Sequence, residues 1–194
     1  MIEAFMDLAS AFGLSTSAGL NAYIPLLTVA LLGRLTSLVE LGEPWDVLTS
    51  WWIIGLLSVL LIIDILADKI PAVDSANDVI QTVIRPTAGA IMFASTTQES
   101  IGLHPVLALG CGILLAGGVH VVKAGARPVV TATTAGVGNP IVSTIEEVIA
   151  VITSVVAVIF PYLIIIWFFL LALLVFLVLR WRRRRLPVNR YKSG

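Results

Sequence analysis

Residues Val148–Leu179 read VIAVITSVVAVIFPYLIIIWFFLLALLVFLVL, which is 32 positions without a charged side chain. At 1.5 Å per residue a continuous helix over this stretch would be about 48 Å long, which exceeds the roughly 30 Å hydrocarbon core of a bilayer. The stretch is interrupted by Phe160, Pro161 and Tyr162, where proline breaks helical hydrogen bonding and the aromatic rings favour a membrane interface. A tight hairpin at this point is the preferred interpretation, and one strongly tilted helix is the alternative.

The composition of the whole chain agrees with a membrane protein. Of its 194 residues, 58% are hydrophobic and 12% are charged, whereas a soluble domain carries about 25% charged residues. So few charges could not cover a water-facing surface, and this argues against a soluble enzyme, a disordered chain and a nucleic-acid-binding module. The single cysteine, Cys111, excludes an internal disulfide, and its apolar surroundings predict an inert core residue.

The hydrophobic segments predict an all-α, polytopic integral membrane helix bundle with about six segments. Five stretches have the length of one bilayer crossing: Leu14–Gly33, Leu48–Ala67, Leu103–Val122, Ile141–Phe160 and Pro161–Leu179. A sixth, Pro86–Thr97, has only twelve residues and is interpreted either as a short helix or as a re-entrant half-helix. Residues 1–179 are therefore predicted to form a single transmembrane domain, followed by a basic cytoplasmic tail at 180–194.

The charges suggest an orientation for these segments. Basic residues favour cytoplasmic loops, and placing the cluster at 180–185 inside puts eleven of the twelve basic residues on the inner side, with only Arg34 outside. Both termini are then expected inside, in a multi-pass protein of a bacterial cytoplasmic (inner) membrane. If Pro86–Thr97 is re-entrant and every other segment spans, the N-terminus is instead outside. The first residues contain Glu3 and Asp7 rather than a basic region, so no cleavable signal peptide is expected. Six segments also divide into three plus three, which would make the second half an inverted repeat of the first.

Polar residues inside such segments are costly, and this makes them the informative positions. The first segment contains Asn21 among small residues, and Gly19 and Pro25 weaken the helix on either side of it. Two interpretations are open here, namely ordinary small-residue packing around a hydrogen-bonded Asn21, or freed backbone carbonyls that line a cavity.

A denser group of charges lies at the inner end of the second segment and in the predicted loop that follows it, from Lys69 to Arg85, which could itself contain a short helix from Ser75. Asp64 and Asp68 are four residues apart and so share one helix face near the water, and Asp74 and Asp78 have the same spacing. Arg85 precedes Pro86, which suits the first turn of a helix. Arg85 could bind an anion at that helix N-terminus, but a structural pairing with one of the aspartates is slightly favoured.

A third group lies in the second half. His120, Lys123 and Arg127 follow one helix face, Asn139 begins the next segment, and Glu146 and Glu147 lie about two turns into it. Intramembrane carboxylates mark ion or proton routes, and a buried ion-pair network that fixes helix register is an equal alternative. The glycines of the fourth segment predict close helix packing or a bend at Gly117-Gly118.

No catalytic pattern is visible, so the chain is not expected to be an enzyme. It contains no nucleophile-elbow, zinc-protease or Cys-His arrangement, and its two histidines lie at opposite ends of one segment. Neither a cofactor nor a bound metal is predicted, although carboxylate oxygens such as those of Asp64 or Glu146 could contact a hard cation.

Several motifs resemble one bacterial membrane family, the domain of unknown function 4126. They are GLSTSAGLNAYIP from Gly13, DKIPAVDS from Asp68, IRPTAG from Ile84, HVVKAGAR from His120, and Asn139, Ser143 and Glu146-Glu147 further on. The resemblance extends from about Gly13 to Leu179, and it implies a prokaryotic multi-spanning protein without an established activity. Where the family is expected to have Glu-Asp, this chain has Glu146-Glu147, which keeps the charge.

The leading hypothesis is therefore a small transporter or channel with a polar site at the cytoplasmic ends of its helices. Its twelve candidate substrate- or ion-binding residues are Asn21, Asp64, Asp68, Asp74, Asp78, Arg85, His120, Lys123, Arg127, Asn139, Glu146 and Glu147. A lipid-binding or lipid-translocating protein and a non-transporting scaffold are the alternatives. The expected partner is the lipid bilayer, without nucleic acid and with self-association left open; anionic lipid could contact Arg180, Arg182, Arg183, Arg184 and Arg185.

Overall fold

The computed structural model describes residues 1–166, 169 and 180, apart from the side chains at 71, 72, 74–76, 99 and 100. Within these residues the fold is all-α, as predicted. The helices are α1 (Ile2–Leu20), α2 (Tyr23–Leu35), a 3₁₀ turn (Trp45–Thr49), α3 (Trp51–Ala67), α4 (Pro71–Ile101), α5 (Pro105–Thr134) and α6 (Asn139–Ile159). Residues up to Ile164 form one compact unit, and those from Ile165 belong to a second.

The first predicted segment, Leu14–Gly33, is wrong as a single helix. The chain leaves the helical conformation at Asn21, where φ is −147° and ψ is 123°, and α2 begins at Tyr23. The chain also reverses there, because Ile2 and Leu14 of α1 line the same cavity as Val29 of α2 and residues 37–41 beyond it. Helices α1 and α2 are therefore the two arms of a helical hairpin with Asn21 at its tip.

The twelve-residue segment Pro86–Thr97 is also corrected. It is neither a short helix nor a re-entrant one, since it belongs to α4, which is 31 residues long with Pro86 in its interior. Pro71, not Pro86, occupies the first turn, and α4 ends at Gly102 in the left-handed conformation (φ 61°). The region predicted as a loop from Lys69 to Arg85 is thus mostly helix.

The next two helices extend or match the predicted segments. Helix α5 continues twelve residues beyond Val122 into a predicted loop, and α6 closely matches Ile141–Phe160. The helix breaks at Phe160 (φ −133°, ψ 61°), and helical residues resume at 161–166. A side chain at Gly13 would contact both Ala157 and Ile164, which is consistent with a bend at the predicted position. Whether residues 161–179 complete a hairpin lies outside the described residues, and the inverted repeat stays a prediction for the same reason.

Successive helices run in opposite directions, and this defines two ends of the unit formed by residues 1–164. The cavity end holds Met1, residues 36–50, the connection 102–104 and Phe160. The cluster end holds the tip at Asn21 and the connections 68–70 and 135–138. Because of the reversal at Asn21, the N-terminus lies at the end opposite to most of the predicted site residues.

Helix α1 is the centre of the bundle and packs against α4, α5 and α6. Its serines donate hydrogen bonds to backbone carbonyls of its neighbours: Ser10 Oγ to Ala157 O (2.7 Å), Ser15 Oγ to Gly89 O (2.9 Å) and Ser17 Oγ to Ala150 O (2.9 Å). Small residues and hydroxyl groups allow such close approach, as is common between membrane helices. The small-residue interpretation of this segment is therefore correct for the serines.

The outer faces of the bundle are apolar. Helices α5 and α6 are long and apolar enough to cross a bilayer, yet only 22% of the most apolar window of each is buried. Trp52 and Leu114 are 90% and 77% exposed. Cys111, predicted to be a core residue, is also exposed, because it lies on the outer face of α5 next to the buried Gly112.

Candidate functional site

The tip of the hairpin joins two helix ends inside the protein. The Asn21 side-chain oxygen accepts hydrogen bonds from the backbone N–H groups of Tyr23 (3.0 Å) and Ile24 (3.2 Å), which gives α2 an N-terminal cap. The Lys123 ammonium group donates to the carbonyl oxygen of Leu20 (3.0 Å) at the C-terminus of α1, where a positive charge complements the helix dipole. Side chains thus provide hydrogen-bond partners at both helix ends.

Asp64 is the most enclosed carboxylate near the tip, with only 2% of its surface exposed. Its Oδ2 accepts a hydrogen bond from Asn21 Nδ2 (2.8 Å), and its Oδ1 accepts from Asn77 Nδ2 (2.8 Å) and Gln81 Nε2 (2.7 Å). Three neutral amide groups therefore stabilise this carboxylate, and none of these three hydrogen bonds comes from a cation. Asp64 and Asp68 lie near the cluster end of α3, and both are buried.

Asp68 links three helices at the cluster end. Its Oδ2 accepts a hydrogen bond from Ser143 Oγ of α6 (2.7 Å) and lies 3.4 Å from Arg127 Nη2 of α5, while its Oδ1 accepts from Asn77 Nδ2 of α4 (3.1 Å). Burial alone would raise the pKa of Asp68. The hydrogen bond from Ser143 and the positive charges of Lys123 and Arg127 outweigh this effect and hold the pKa below its usual value of 3.8.

Arg85 lies at the middle of α4 and is completely buried. Its Nη1 lies 2.9 Å from His120 Nδ1, and the other ring nitrogen of His120, Nε2, lies 3.1 Å from Thr82 Oγ1. Because a guanidinium group can only donate, His120 Nδ1 must be the acceptor, and the ring is neutral with its proton on Nε2. Among the described side chains, the carboxylate oxygen nearest to Arg85 is Asp78 Oδ1, at 3.9 Å from Nη1.

The remaining charges form ion pairs between α4, α5 and α6. Lys123 Nζ lies 2.8 Å from Glu146 Oε2, Arg127 Nη1 lies 3.0 Å from Asp78 Oδ2, and Lys69 Nζ lies 3.5 Å from Glu147 Oε1. Exposure rises along this series, from 4% for the Lys123 side chain to 33% for that of Lys69. The site is therefore buried at the hairpin tip and reaches the surface at the cluster end.

The structure brings ten of the twelve predicted residues together. We call this group the charged cluster, and it comprises Asn21, Asp64, Asp68, Asp78, Arg85, His120, Lys123, Arg127, Glu146 and Glu147. Asn139 lies apart from it, on the surface at the start of α6, where it is hydrogen-bonded to Thr131. The side chain of Asp74 lies outside the described residues.

Sequence reasoning missed the neutral residues that organise the cluster, namely Asn77, Gln81 and Thr82. A signal for the first two was present, because Asn77, Gln81 and Arg85 are four residues apart along α4 and form one polar face. Treating residues 69–85 as a loop hid this periodicity. Ser143 appeared only within a family motif, and its contact with Asp68 gives that position a physical reason.

A separate cavity of about 650 Å³ lies at the cavity end, between α1, Val29 of α2, residues 37–41 and the nearby ends of α4 and α6. Its lining includes Glu3, Asp7 and Glu40 near the surface and Leu14 and Val29 in the interior, both of them 1% exposed. Leu14 and Val29 are seven and eight residues from Asn21, or about 10–12 Å along each helix. The cavity and the charged cluster are thus separated by a short buried layer.

These features define the structural class of the protein, which is a helical bundle with apolar outer faces, a buried hairpin tip and a network of charged residues around that tip. The chain belongs to the family described as a domain of unknown function (DUF4126), which matches residues 8–181. No curated protein and no solved structure matches the chain significantly. Among the described residues, no three His, Cys, Asp or Glu side chains are grouped so that they could hold a metal ion.

Proposed function

We propose that the protein is a small multi-pass membrane transporter or channel that moves a polar solute or ion through the charged cluster. The observation that carries this proposal is the hairpin tip at Asn21, where two helix ends meet a buried carboxylate and a buried lysine. Interrupted helices with ionisable groups around the break are typical of transporter binding sites.

The apolar outer faces support the membrane part of the proposal. A helix in the core of a soluble protein is mostly buried, whereas α5 and α6 leave most of their apolar side chains exposed. Exposed apolar area of this extent is compatible with lipid and would be costly in water. We place the cluster end, with the bulk of the basic residues, on the cytoplasmic side of a bacterial inner membrane.

The cavity between α1 and α2 supports a path from the other side. Only a buried layer at Leu14 and Val29 separates this cavity from the hairpin tip. That layer would have to open for a solute to pass. Access would then alternate between the cavity end and the cluster end, with the two arms of the hairpin as the moving part.

Flux measurements in liposomes test the proposal. We expect transport of an ion or small polar solute by the full-length protein, and loss of that transport after Asn21→Ala, Arg85→Gln or Glu146→Gln. Glu43→Gln is the control, since Glu43 is exposed at the cavity end and does not line the cavity. If the wild-type protein produces no flux above empty liposomes for any of a broad panel of ions and solutes, the proposal fails.

A second candidate, a non-transporting scaffold, has one observation in its favour. Most charges of the cluster are already paired within the protein, as a network that fixes helix register would require. A double-mutant cycle on Lys123 and Glu146 separates the two candidates. Strong coupling in unfolding free energy together with unchanged flux in every variant would favour the scaffold.

A further inference from the structure

Arg85 differs from the other cations of the charged cluster in how it is partnered. The other two, Lys123 and Arg127, each have a carboxylate oxygen within 3.5 Å: Lys123 has Glu146, and Arg127 has Asp68 and Asp78. Arg85 is the most buried of the three, with a side chain that is 0% exposed, and the nearest carboxylate oxygen among the described side chains is 3.9 Å away. The deepest cation is thus the least well neutralised by its neighbours.

Two of the three guanidinium nitrogens of Arg85, Nε and Nη2, are buried and have no hydrogen-bond partner among the described residues. Leaving buried donors unpaired costs about 1–3 kcal/mol each, and more when the group is charged. A position that retains such donors calls for a specific explanation.

The unpaired donors form one edge of the guanidinium plane. The N–H groups of Nε and Nη2 point in parallel from that edge, which is the fork that binds two oxygens of a carboxylate or phosphate. The third nitrogen, Nη1, faces His120 Nδ1 at 2.9 Å. His120 is itself close to Thr82, so this side of the guanidinium is fixed and the fork is pre-oriented.

Neither neighbouring aspartate is hydrogen-bonded to the free edge of Arg85. Both oxygens of Asp64 accept hydrogen bonds from amide groups of Asn21, Asn77 and Gln81. Arg127 lies 3.0 Å from Asp78 Oδ2, while Asp78 Oδ1 is buried without a hydrogen-bond partner among the described residues and lies 3.9 Å from Nη1 of Arg85. Pairing the fork with Asp64 would require breaking contacts that are already made, and pairing it with Asp78 would require Oδ1 to move from Nη1 to the Nε–Nη2 edge.

We propose that the Nε–Nη2 edge of Arg85 binds an oxyanion, a carboxylate or phosphate group that presents two oxygens to the fork. This inference rests on the proposed function and names the substrate class of the same site. The oxyanion could belong to a small soluble anion or to the headgroup of an anionic lipid, because the two present the same chemistry to the arginine.

Binding is tested with the full-length protein in nanodiscs made of zwitterionic phosphatidylcholine. We expect the thermal unfolding midpoint to rise with added sodium phosphate or sodium acetate, relative to sodium chloride at equal ionic strength. Arg85→Lys keeps the charge but removes the fork, so its affinity for the oxyanion should fall by about tenfold or more. Arg34→Lys makes the same change at the exposed, opposite end of the protein and should behave as the wild type does.

A second arm identifies the source of the oxyanion. If phosphate and acetate have no effect, nanodiscs containing phosphatidylglycerol replace them, and an Arg85-dependent rise in the midpoint then assigns the site to a lipid headgroup. The proposal is overturned if neither probe stabilises the wild-type protein, or if the stabilisation persists unchanged in both Arg85→Lys and Arg85→Gln.

The two proposals can fail separately. Arg85-dependent oxyanion binding without flux in liposomes would leave the binding site standing and remove the transport function. Flux of another solute that depends on Asn21 and Glu146, with no oxyanion binding, would support the transport function and overturn the oxyanion site.

Discussion

At the scale of single residues, the charged cluster shows how a carboxylate is kept in an apolar bundle. Asp64 is held by three amide donors, Asn21 at the hairpin tip and Asn77 and Gln81 of α4, and none of these bonds is an ion pair. Amide donors satisfy the carboxylate oxygens while leaving the nearby cations to other partners. This division is why Lys123 can serve both Leu20 and Glu146.

Replacing Asp64 tests this arrangement directly. In Asp64→Asn one acceptor oxygen becomes an NH₂ group that faces amide donors, so the free energy of unfolding should fall by about 1–3 kcal/mol. Thermal or denaturant unfolding in a non-ionic detergent measures the change. The matched control Asp46→Asn, at an exposed position of the 3₁₀ turn, should change stability by less than about 0.5 kcal/mol. Equal effects of the two substitutions would contradict the assigned role of Asp64.

Asp68 predicts a pH dependence of stability. It lies in the connection after α3, and its pKa in the folded protein is below the usual 3.8 because Ser143, Lys123 and Arg127 outweigh its burial. A carboxylate with a lowered folded pKa stabilises the folded state above its unfolded pKa, and this contribution is lost as the pH falls through the folded value. The stability difference between wild type and Asp68→Asn should therefore shrink as the pH falls below 3.8. A difference that stays constant over that range would exclude this contribution.

At the scale of helices, the hairpin tip depends on two separate functions of Asn21. Its oxygen caps α2, and its amide group donates to Asp64. Asn21→Ala removes both and should lower the unfolding free energy by about 1–3 kcal/mol, whereas Asn21→Ser keeps a capping oxygen and should lose less. Chemical unfolding of the two variants in detergent measures the split. Identical losses would mean that the cap contributes nothing.

Close packing of α4 and α5 depends on glycine at particular positions. A side chain at Gly112 would collide with the backbone of Gly89 and Ala90, whereas one at Gly110, two residues earlier on α5, would meet nothing within 4 Å. Gly112→Ala should therefore destabilise the protein by about 1–3 kcal/mol. Gly110→Ala should be neutral or stabilising by up to about 1 kcal/mol, because alanine favours the helix. Thermal unfolding midpoints compare the two, and similar midpoints would refute the packing role of Gly112.

The helices also show what the sequence could and could not predict. Hydrophobic length placed α3 and α6 within three residues at each end, because each is one apolar stretch between polar connections. The same criterion missed the first half of α4, which is polar: Gln81 and Arg85 are buried against other helices, and Asn77 and Asp78 are half-buried. It also merged α1 with α2, since the reversal depends on Asn21 capping α2 and on Lys123, which lies 102 positions later in the chain. Residue types predicted the members of the site well, but their partners depended on contacts between helices.

At the scale of the whole molecule, the hairpin changes how the charges are distributed between the two ends. With Asn21 as the tip, Glu3 and Asp7 join Glu40 at the cavity end, and the cluster end keeps Lys69, Lys123 and Arg127. The cavity end is therefore more acidic than in the predicted six-segment topology, where Glu3 and Asp7 lie on the inner side with the N-terminus. This sharpens the charge asymmetry that determines membrane orientation.

Cysteine labelling tests this topology. In a Cys111→Ser background, Glu3→Cys and Glu40→Cys should both react with a membrane-impermeant maleimide added to intact cells, because both positions line the mouth of one cavity. Thr133→Cys, exposed near the cluster end of α5, should react only after the cells are permeabilised, if the basic end is cytoplasmic. Because Glu3 and Glu40 flank the hairpin, a single helix over Leu14–Gly33 would place them on opposite sides of the membrane, and only one of them would then be labelled in intact cells. Joint labelling of these two positions, with protection of Thr133→Cys, is therefore the pattern that the reversal at Asn21 requires.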